Sequence, residues 1–180
     1  VAAVEDGLLA YPQNAGLQRR LMTLLFSRGR LADRQQDRQR AMEILGTLEQ
    51  QSPGDPELMK IRAQTMLETP TPQSLGAARA KLEAVVKAKP TAVDTHLLLI
   101  QIAMQAGEYR AARDYALQAL GSNSNDASLL SARAKAELAL GNAPLASEVS
   151  RQALRKDPNS ADALDVFVQA AVARNDPRLL

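Results

Sequence analysis

Small apolar residues recur at a fixed interval along the chain, and short polar turns separate them. Ala112 and Ala146 are 34 residues apart, as are Ala119 and Ala153. An alanine early in a helix lets a neighbouring helix approach closely, because its side chain is a single methyl group. The pattern therefore predicts pairs of helices that stack on the next pair, since one pair alone cannot bury its apolar face.

Each repeat is predicted to contain a first helix and a second helix joined by a turn. We expect first helices at about 14–28, 55–68, 92–106, 126–140 and 160–173. We expect second helices at about 38–51, 73–88, 108–121 and 143–156. Residues 1–11 fit a further second helix that lacks its first-helix partner.

Capping residues and glycines mark the predicted helix ends. Asp55 and Thr71 each precede a proline, so each places a capping side chain before the first helical position. Asn142 is predicted to cap the helix that carries Pro144 in its first turn. A left-handed residue commonly ends a helix, and glycine adopts that conformation without strain. The glycines predicted to end first helices in this way are Gly29, Gly107 and Gly141.

This arrangement resembles the tetratricopeptide repeat family, whose 34-residue helix–turn–helix unit carries an alanine and a final proline, here Ala146 and Pro158. The resemblance covers almost the whole chain. It implies an all-α, right-handed superhelical solenoid over residues 1–180. The implied repeats are about 13–53, 54–90, 91–124 and 125–158, followed by a partial repeat at 159–180.

The family resemblance implies a protein-interaction scaffold in which first helices line a concave groove. Side chains three and four residues apart project from one helix face. Carried from repeat to repeat, that face gives these candidate partner-binding residues: Arg19, Thr23, Phe26, Lys60, Gln64, Leu67, Leu97, Gln101, Met104, Ser131, Lys135, Leu138, Asp165, Gln169 and Val172. Long amides beside apolar side chains suit an extended peptide or a helix; the alternative is a merely solvated helix face.

Composition excludes several kinds of chemistry. The chain has no cysteine, which excludes disulfides, cysteine-based zinc sites and thiol catalysis. It contains no enzyme motif, so we predict no catalytic activity, cofactor or metal. His96, the only histidine, is interpreted as a partly buried packing residue. Asp94, Asp162 and Asp165 are interpreted as a solvated acidic face and not as a metal or acid–base site.

Residues 28–40 carry five arginines and a seven-residue insertion in the repeat. The insertion either extends the second helix or forms a loop. Whether residues 31–40 are helix or loop therefore stays open. Asp33 and Asp37 are predicted to pair with arginines three or four positions away. An acidic partner, anionic headgroups or nucleic acid would suit this segment, although it lacks stacking aromatics. A solvated helix edge is the simpler interpretation.

The leading hypothesis is a scaffold that binds a protein or peptide in the groove. One alternative is an assembly element of a bacterial envelope or polysaccharide-export complex, which the Ala- and Gln-rich composition resembles. Another is a regulator that contacts nucleic acid through residues 19–40. The identity of the partner stays open.

The ends of the chain and its compartment give a further set of expectations. No apolar run reaches the length of a membrane span, and residues 1–10 do not resemble a signal peptide. We expect a soluble protein, with cytoplasm and periplasm both open. Both ends cut through a repeat, so we expect a fragment of a longer array, with self-association through its uncapped ends as a possibility.

Overall fold

The described residues of the protein are entirely helical and turn, without a strand. The structure is a computed structural model that describes residues 1–32, 34–68 and 71–174. The first helices of the repeats are α2 (Ala15–Ala32), α4 (Pro56–Glu68), α6 (Val93–Gln105), α8 (Ala127–Ala139) and α10 (Ala161–Ala173). The second helices are α1 (Ala2–Ala10), α3 (Gln35–Gln51), α5 (Pro72–Ala88), α7 (Tyr109–Ser122) and α9 (Ala143–Lys156). The all-α prediction is therefore confirmed.

The chain divides into two compact units, Val1–Arg62 and Ala63–Leu180. In the first unit, α2 packs against both α1 and α3. The buried core of this unit consists of Leu21, Met22, Leu25, Ala41, Leu45, Leu48 and Leu58. That residues 1–180 form one solenoid stays a prediction, and the end of the predicted partial repeat, residues 175–180, lies outside the described residues.

In the second unit, each helix from α5 to α10 packs against the next one along the chain. In addition, α8 contacts both α6 and α10, so three first helices are neighbours. Ala112 and Ala146, the residues that define the repeat, are completely buried, as are Ala119 and Ala153. Methyl groups at these contacts let backbones approach to native packing density without voids. The repeating alanines therefore lie inside the packed helices, as their spacing predicts.

Several helix ends form as the sequence predicts. The Asp55 carboxylate accepts hydrogen bonds from the backbone N–H groups of Glu57 and Leu58, at 2.9 and 3.3 Å, and caps α4. Thr71 caps α5 in a reciprocal capping box with Ser74. Gly107 and Gly141 end α6 and α8 with φ angles of 73° and 83°, a conformation that strains other residues.

Gly29 does not end a helix, which contradicts the prediction. Helix α2 continues through Gly29 to Ala32, and Gly29 is buried against Arg38 of α3. A Cβ atom at position 29 would lie 2.6 Å from Cγ of Arg38. Glycine is therefore needed here for close contact between α2 and α3, and not for a left-handed turn.

The inserted residues lengthen both helices of their repeat. Helix α2 has 18 residues and α3 has 17, beginning at Gln35. Residues 31–32 and 35–40 are thus helical, so the helix alternative holds for these described residues. Asp33 lies outside the described residues.

Asn142 does not cap α9, which also contradicts the prediction. Its side-chain amide instead donates a hydrogen bond of 2.9 Å to Oε2 of Glu137, whose side chain is buried. A buried carboxylate without a donor is costly. Asn142 therefore satisfies Glu137, and the first turn of α9 receives no side-chain cap.

The alanine contacts predict a large difference between buried and exposed positions on second helices. Ala146→Leu should lower the free energy of unfolding by about 1–3 kcal/mol, because extra methylenes do not fit a filled helix contact. Ala84→Leu is the matched control at an exposed position of α5 and should change it by less than about 0.5 kcal/mol. Urea unfolding followed by circular dichroism measures both. Equal effects would contradict the packing argument.

Alanine substitutions of two glycines in the first unit should change its stability in opposite directions. Gly29→Ala should destabilise the unit, because the new methyl meets the Arg38 stem. Gly46→Ala lies in α3 with no atom within 4 Å of the new methyl and should stabilise by about 0.5–1 kcal/mol through helix propensity. Thermal unfolding of the two variants distinguishes them. If Gly29→Ala stabilised the protein, the contact between α2 and α3 would have space for an additional methyl group.

Candidate functional site

Three first helices of the second unit present matching side chains to one open cavity of about 870 Å³. Gln101 on α6, Lys135 on α8 and Gln169 on α10 occupy equivalent positions, each 34 residues from the next. They form a polar row across the three helices. The repeat thus converts a spacing in sequence into a row of hydrogen-bonding groups on one surface.

The cavity combines that polar row with an apolar lining. Leu97 and Met104 on α6 face it with Leu138 on α8, and all three are half-buried against the core. Within the described residues, the exposed side chains of Gln101 and Lys135 form neither a hydrogen bond nor an ion pair. The arrangement offers apolar contact and unused polar groups to an incoming chain.

The structure brings seven of the predicted groove residues together around this cavity. They are Leu97, Gln101, Met104, Ser131, Lys135, Leu138 and Gln169. The Ser131 side chain is buried, and its hydroxyl donates to the Ala127 carbonyl at 2.8 Å, so that hydrogen is already used. Gln169 also has a neighbour, because its amide donates to the Asp165 carboxylate at 2.8 Å.

Other predicted groove residues lie away from this cavity. Asp165 and Val172 are exposed on α10 without lining it. Gln64 and Leu67 are half-buried on α4, where Leu67 packs on the core beside Leu82. Lys60 belongs to the first unit and pairs with Glu57 at 3.0 Å.

The predicted residues of α2 are held within the first unit. A nitrogen of Arg19 lies 2.7 Å from the Asp55 carboxylate. The Thr23 hydroxyl donates to the Arg19 carbonyl at 3.0 Å, and Phe26 packs against the core of the unit. Arg19 therefore has a structural partner already, which lowers its value as a binding residue.

The sequence reasoning missed seven residues that line the cavity. They are Ile100, Gln105, Tyr109, Ser128, Ala132, Ala139 and Asp162. Ser128 and Asp162 are 34 residues apart and lie one turn before the predicted face. Extending that face by one turn toward the N-terminus of each helix would have found these two. Tyr109 starts the second helix α7, so a search confined to first helices could not include it.

His96 is more deeply buried than the sequence predicts. Its side chain has no exposed surface, and Nε2 lies 2.9 Å from the Pro90 carbonyl oxygen. Nδ1 is buried without a hydrogen-bond partner within the described residues. The turn before α6 therefore supplies a partner that the sequence did not reveal, and the packing role is retained.

The acidic residues of the first helices do not converge on a metal site. The Asp94 carboxylate accepts a hydrogen bond from the Thr95 backbone N–H at 2.9 Å. Asp162 and Asp165 are exposed on α10. Among the residues that the structure describes, no three carboxylates or histidines are arranged to hold a metal ion.

Carboxylates pair with several arginines of the first unit. Arg28 donates from Nε to Oδ2 of Asp37 at 2.5 Å and from Nη2 to Oδ1. This hydrogen bonding lowers the pKa of Asp37 and raises that of Arg28. The hydrogen-bond partner of Asp37 thus lies nine positions earlier, on α2 across the turn between α2 and α3, while Arg34 and Arg40, each three positions away, act on Asp37 electrostatically as the sequence predicts.

The same pattern extends beyond the turn. Arg40 of α3 pairs with Glu5 of α1, and Nη2 of Arg62 lies 2.6 Å from Oε2 of Glu49. These arginines thus serve the packing of the unit. The charge that the sequence suggested for an acidic ligand is partly neutralised within the protein.

No family model and no curated protein matches the sequence. Solved structures do match, at low identity. PilW, described as a widely conserved type IV pilus biogenesis factor, is 15% identical over 99% of this chain and 78% of its own, with a TM-score of 0.77. MamA from Desulfovibrio magneticus RS-1 is 15% identical over 92% of this chain and 88% of its own, with a TM-score of 0.74. TTC0263, a thermophilic TPR protein of Thermus thermophilus, is 20% identical over 96% of this chain and 87% of its own, with a TM-score of 0.65.

The chain therefore has the tetratricopeptide-repeat fold, as the sequence predicted, and these bacterial structures are among those it resembles. Within the described residues, no helix is both long enough and apolar enough to cross a bilayer.

The Arg19–Asp55 pair predicts a pH-dependent stability. The hydrogen bond from Arg19 lowers the Asp55 pKa below its usual 3.8. A carboxyl with a depressed folded-state pKa contributes stability above its unfolded-state pKa and loses it as pH falls through the folded-state value. Asp55→Asn, which keeps a good helix cap, should cost about 0.5–1 kcal/mol at neutral pH.

Urea unfolding of the wild-type chain and of Asp55→Asn across an acidic pH series measures this effect. The difference between the two should disappear once the pH lies below the Asp55 pKa. A difference that persists there would mean that Asp55 acts through helix capping and not through its charge.

Proposed function

We propose that the second unit binds a segment of a partner protein in the cavity between α6, α8 and α10. The observation that carries this proposal is the row of Gln101, Lys135 and Gln169 beside an apolar lining, in an open cavity. A purely solvated helix face does not need half-buried Leu97 and Met104 next to that row.

The chemistry of the cavity defines the segment that it suits. Apolar side chains of the partner would pack on Leu97, Met104 and Leu138. The amide groups of Gln101 and Gln105 can donate to and accept from a partner backbone. Lys135 favours a nearby carboxylate, and its charge mainly affects orientation and association rate. The partner segment is therefore amphipathic, with apolar residues between polar ones.

The proposed role is binding and not catalysis. The cavity lining contains one ammonium group, one carboxylate, three amides and three hydroxyls, of which that of Ser131 is already hydrogen-bonded to the backbone. A nucleophile with an adjacent base, which covalent catalysis requires, is missing from its described lining. The lining is typical of a peptide-binding surface, in which a few polar groups fix the orientation of an apolar chain.

A second proposal is an assembly element of a bacterial envelope complex. The observation that favours it is the structural match to PilW, which is described as a pilus biogenesis factor. This match covers nearly the whole of the present chain. An assembly element would bind the surface of a folded subunit. In that case short peptides would bind poorly, while an intact complex component would bind well.

The peptide proposal predicts the effect of removing the polar row. Peptides are first selected from a phage-displayed random library on the immobilised wild-type chain, then measured by fluorescence anisotropy. The double variant Gln101→Ala/Lys135→Ala should bind them at least about tenfold more weakly, since two polar contacts of roughly 1 kcal/mol each are lost.

The matched control is Gln118→Ala/Lys87→Ala, which removes the same two residue types at exposed positions of second helices outside the cavity. It should bind the selected peptides like the wild type. Circular dichroism should show unchanged helix content in both variants. Equal binding by both double variants would place the peptide elsewhere and refute the proposed site.

A further inference from the structure

A second cavity of about 720 Å³ adjoins the first at the C-terminal end of α6. Gln105 lines both cavities, so the two meet at this side chain. The second cavity lies between the N-terminal part of α5 and the turn from α6 to α7. We call it the edge cavity, and its lining includes Leu75, Gly76, Arg79, Gln105 and Glu108.

The wall of the edge cavity on α5 is open enough for a polypeptide backbone. Gly76 is an exposed helical residue, and a Cβ built there would meet no atom within 4 Å. The neighbouring Leu75 is half-buried and packs on the core, so it offers an apolar surface. A chain leaving the first cavity over Gln105 therefore meets an apolar wall next to a residue without a side chain.

The Glu108 carboxylate at the edge cavity is only partly covered by its ion pair. Nη2 of Arg79 lies 2.7 Å from Oε2 of Glu108, whose side chain remains 47% exposed. The Tyr115 hydroxyl donates a hydrogen bond to Glu83, and Glu83 also acts on Arg79 electrostatically. Arg79 thus has two acidic neighbours, Glu83 and Glu108, and Glu108 lines the cavity.

We propose that the partner segment continues from the first cavity past Gln105 into the edge cavity, and that it places a lysine or arginine side chain on Glu108. The second oxygen of Glu108 can accept this charge while the first keeps Arg79. The inference rests on the proposed function, and it adds the path of the segment and the charge of one of its side chains. The partner is thus an amphipathic segment that ends in a basic residue at the edge cavity.

Filling the edge cavity tests the path. Gly76→Met adds a long side chain into open space without a clash in the folded protein. Peptides are selected on the wild-type chain from a phage-displayed random library, and each selected peptide is shortened stepwise from either end. Gly76→Met should weaken the full peptides about tenfold and leave unaffected those shortened at the end that reaches the edge cavity.

The control is Gly121→Met in α7, which is also an exposed helical glycine with no atom within 4 Å and lines neither cavity. It should leave all peptide affinities unchanged. Thermal unfolding shows that both variants are folded. If Gly76→Met binds every full peptide like the wild type, the segment does not enter the edge cavity and the inference is overturned.

Charge removal tests the basic side chain. Glu108→Gln keeps the shape of residue 108 and should weaken peptides with a lysine or arginine at the end that reaches the edge cavity, about three- to tenfold. Peptides with methionine at that place should bind wild type and Glu108→Gln alike. A double-mutant cycle without coupling between residue 108 and the basic position would overturn this part.

The outcomes separate the two proposals. If Gln101→Ala/Lys135→Ala weakens binding and Gly76→Met does not, the first cavity is the binding site and the extension fails. If neither affects the selected peptides, or if the library yields none, both the proposed function and the extension fail. Weakening by both, with the loss in Gly76→Met confined to full peptides, supports the extension.

Discussion

The structure depends above all on close contact between helices through alanine. Ala112, Ala146 and their equivalents are completely buried at the places where second helices meet their neighbours. A larger side chain there would separate the helices, because a packed interior has no room for extra methylenes. With only 3% aromatic residues, the chain has few other means of filling its core. The spacing between helices is therefore set by the smallest side chains, and the first helices α6, α8 and α10 become neighbours as a result.

That contact also determines what remains for binding. Once one face of each first helix is buried against second helices, the opposite face projects away from the core. In the second unit this face carries Gln101 and Lys135 with half-buried Met104 and Leu138. The repeat places equivalent positions side by side, so a polar row and an apolar surface arise together. A partner chain that follows this surface meets the edge cavity at Gln105, where the turn between α6 and α7 begins.

Several polar groups inside the protein have partners from turns and neighbouring helices. Nε2 of His96 lies within hydrogen-bond distance of the Pro90 carbonyl oxygen, in the turn before α6. Glu137 of α8 accepts a hydrogen bond from Asn142, which lies just beyond the end of α8. In the first unit, Asp37 finds Arg28 across the turn between α2 and α3. Such partners lower the cost of burying polar groups, which is otherwise high. They also explain why an arginine-rich segment is largely a structural feature of this protein.

The amino-acid sequence by itself determined the helix pairs, most of their ends and the helix face that forms the cavity. These features follow from local rules: alanine spacing, capping at Asp55 and Thr71, and left-handed glycines at Gly107 and Gly141. Only the tertiary structure decided the contacts between residues distant in sequence. It showed that Gly29 serves helix packing, that Asn142 serves Glu137, and that Arg19 and Arg28 are paired. It also joined Gln105 to two cavities, because such neighbours depend on how helices pack and not on the spacing within one helix.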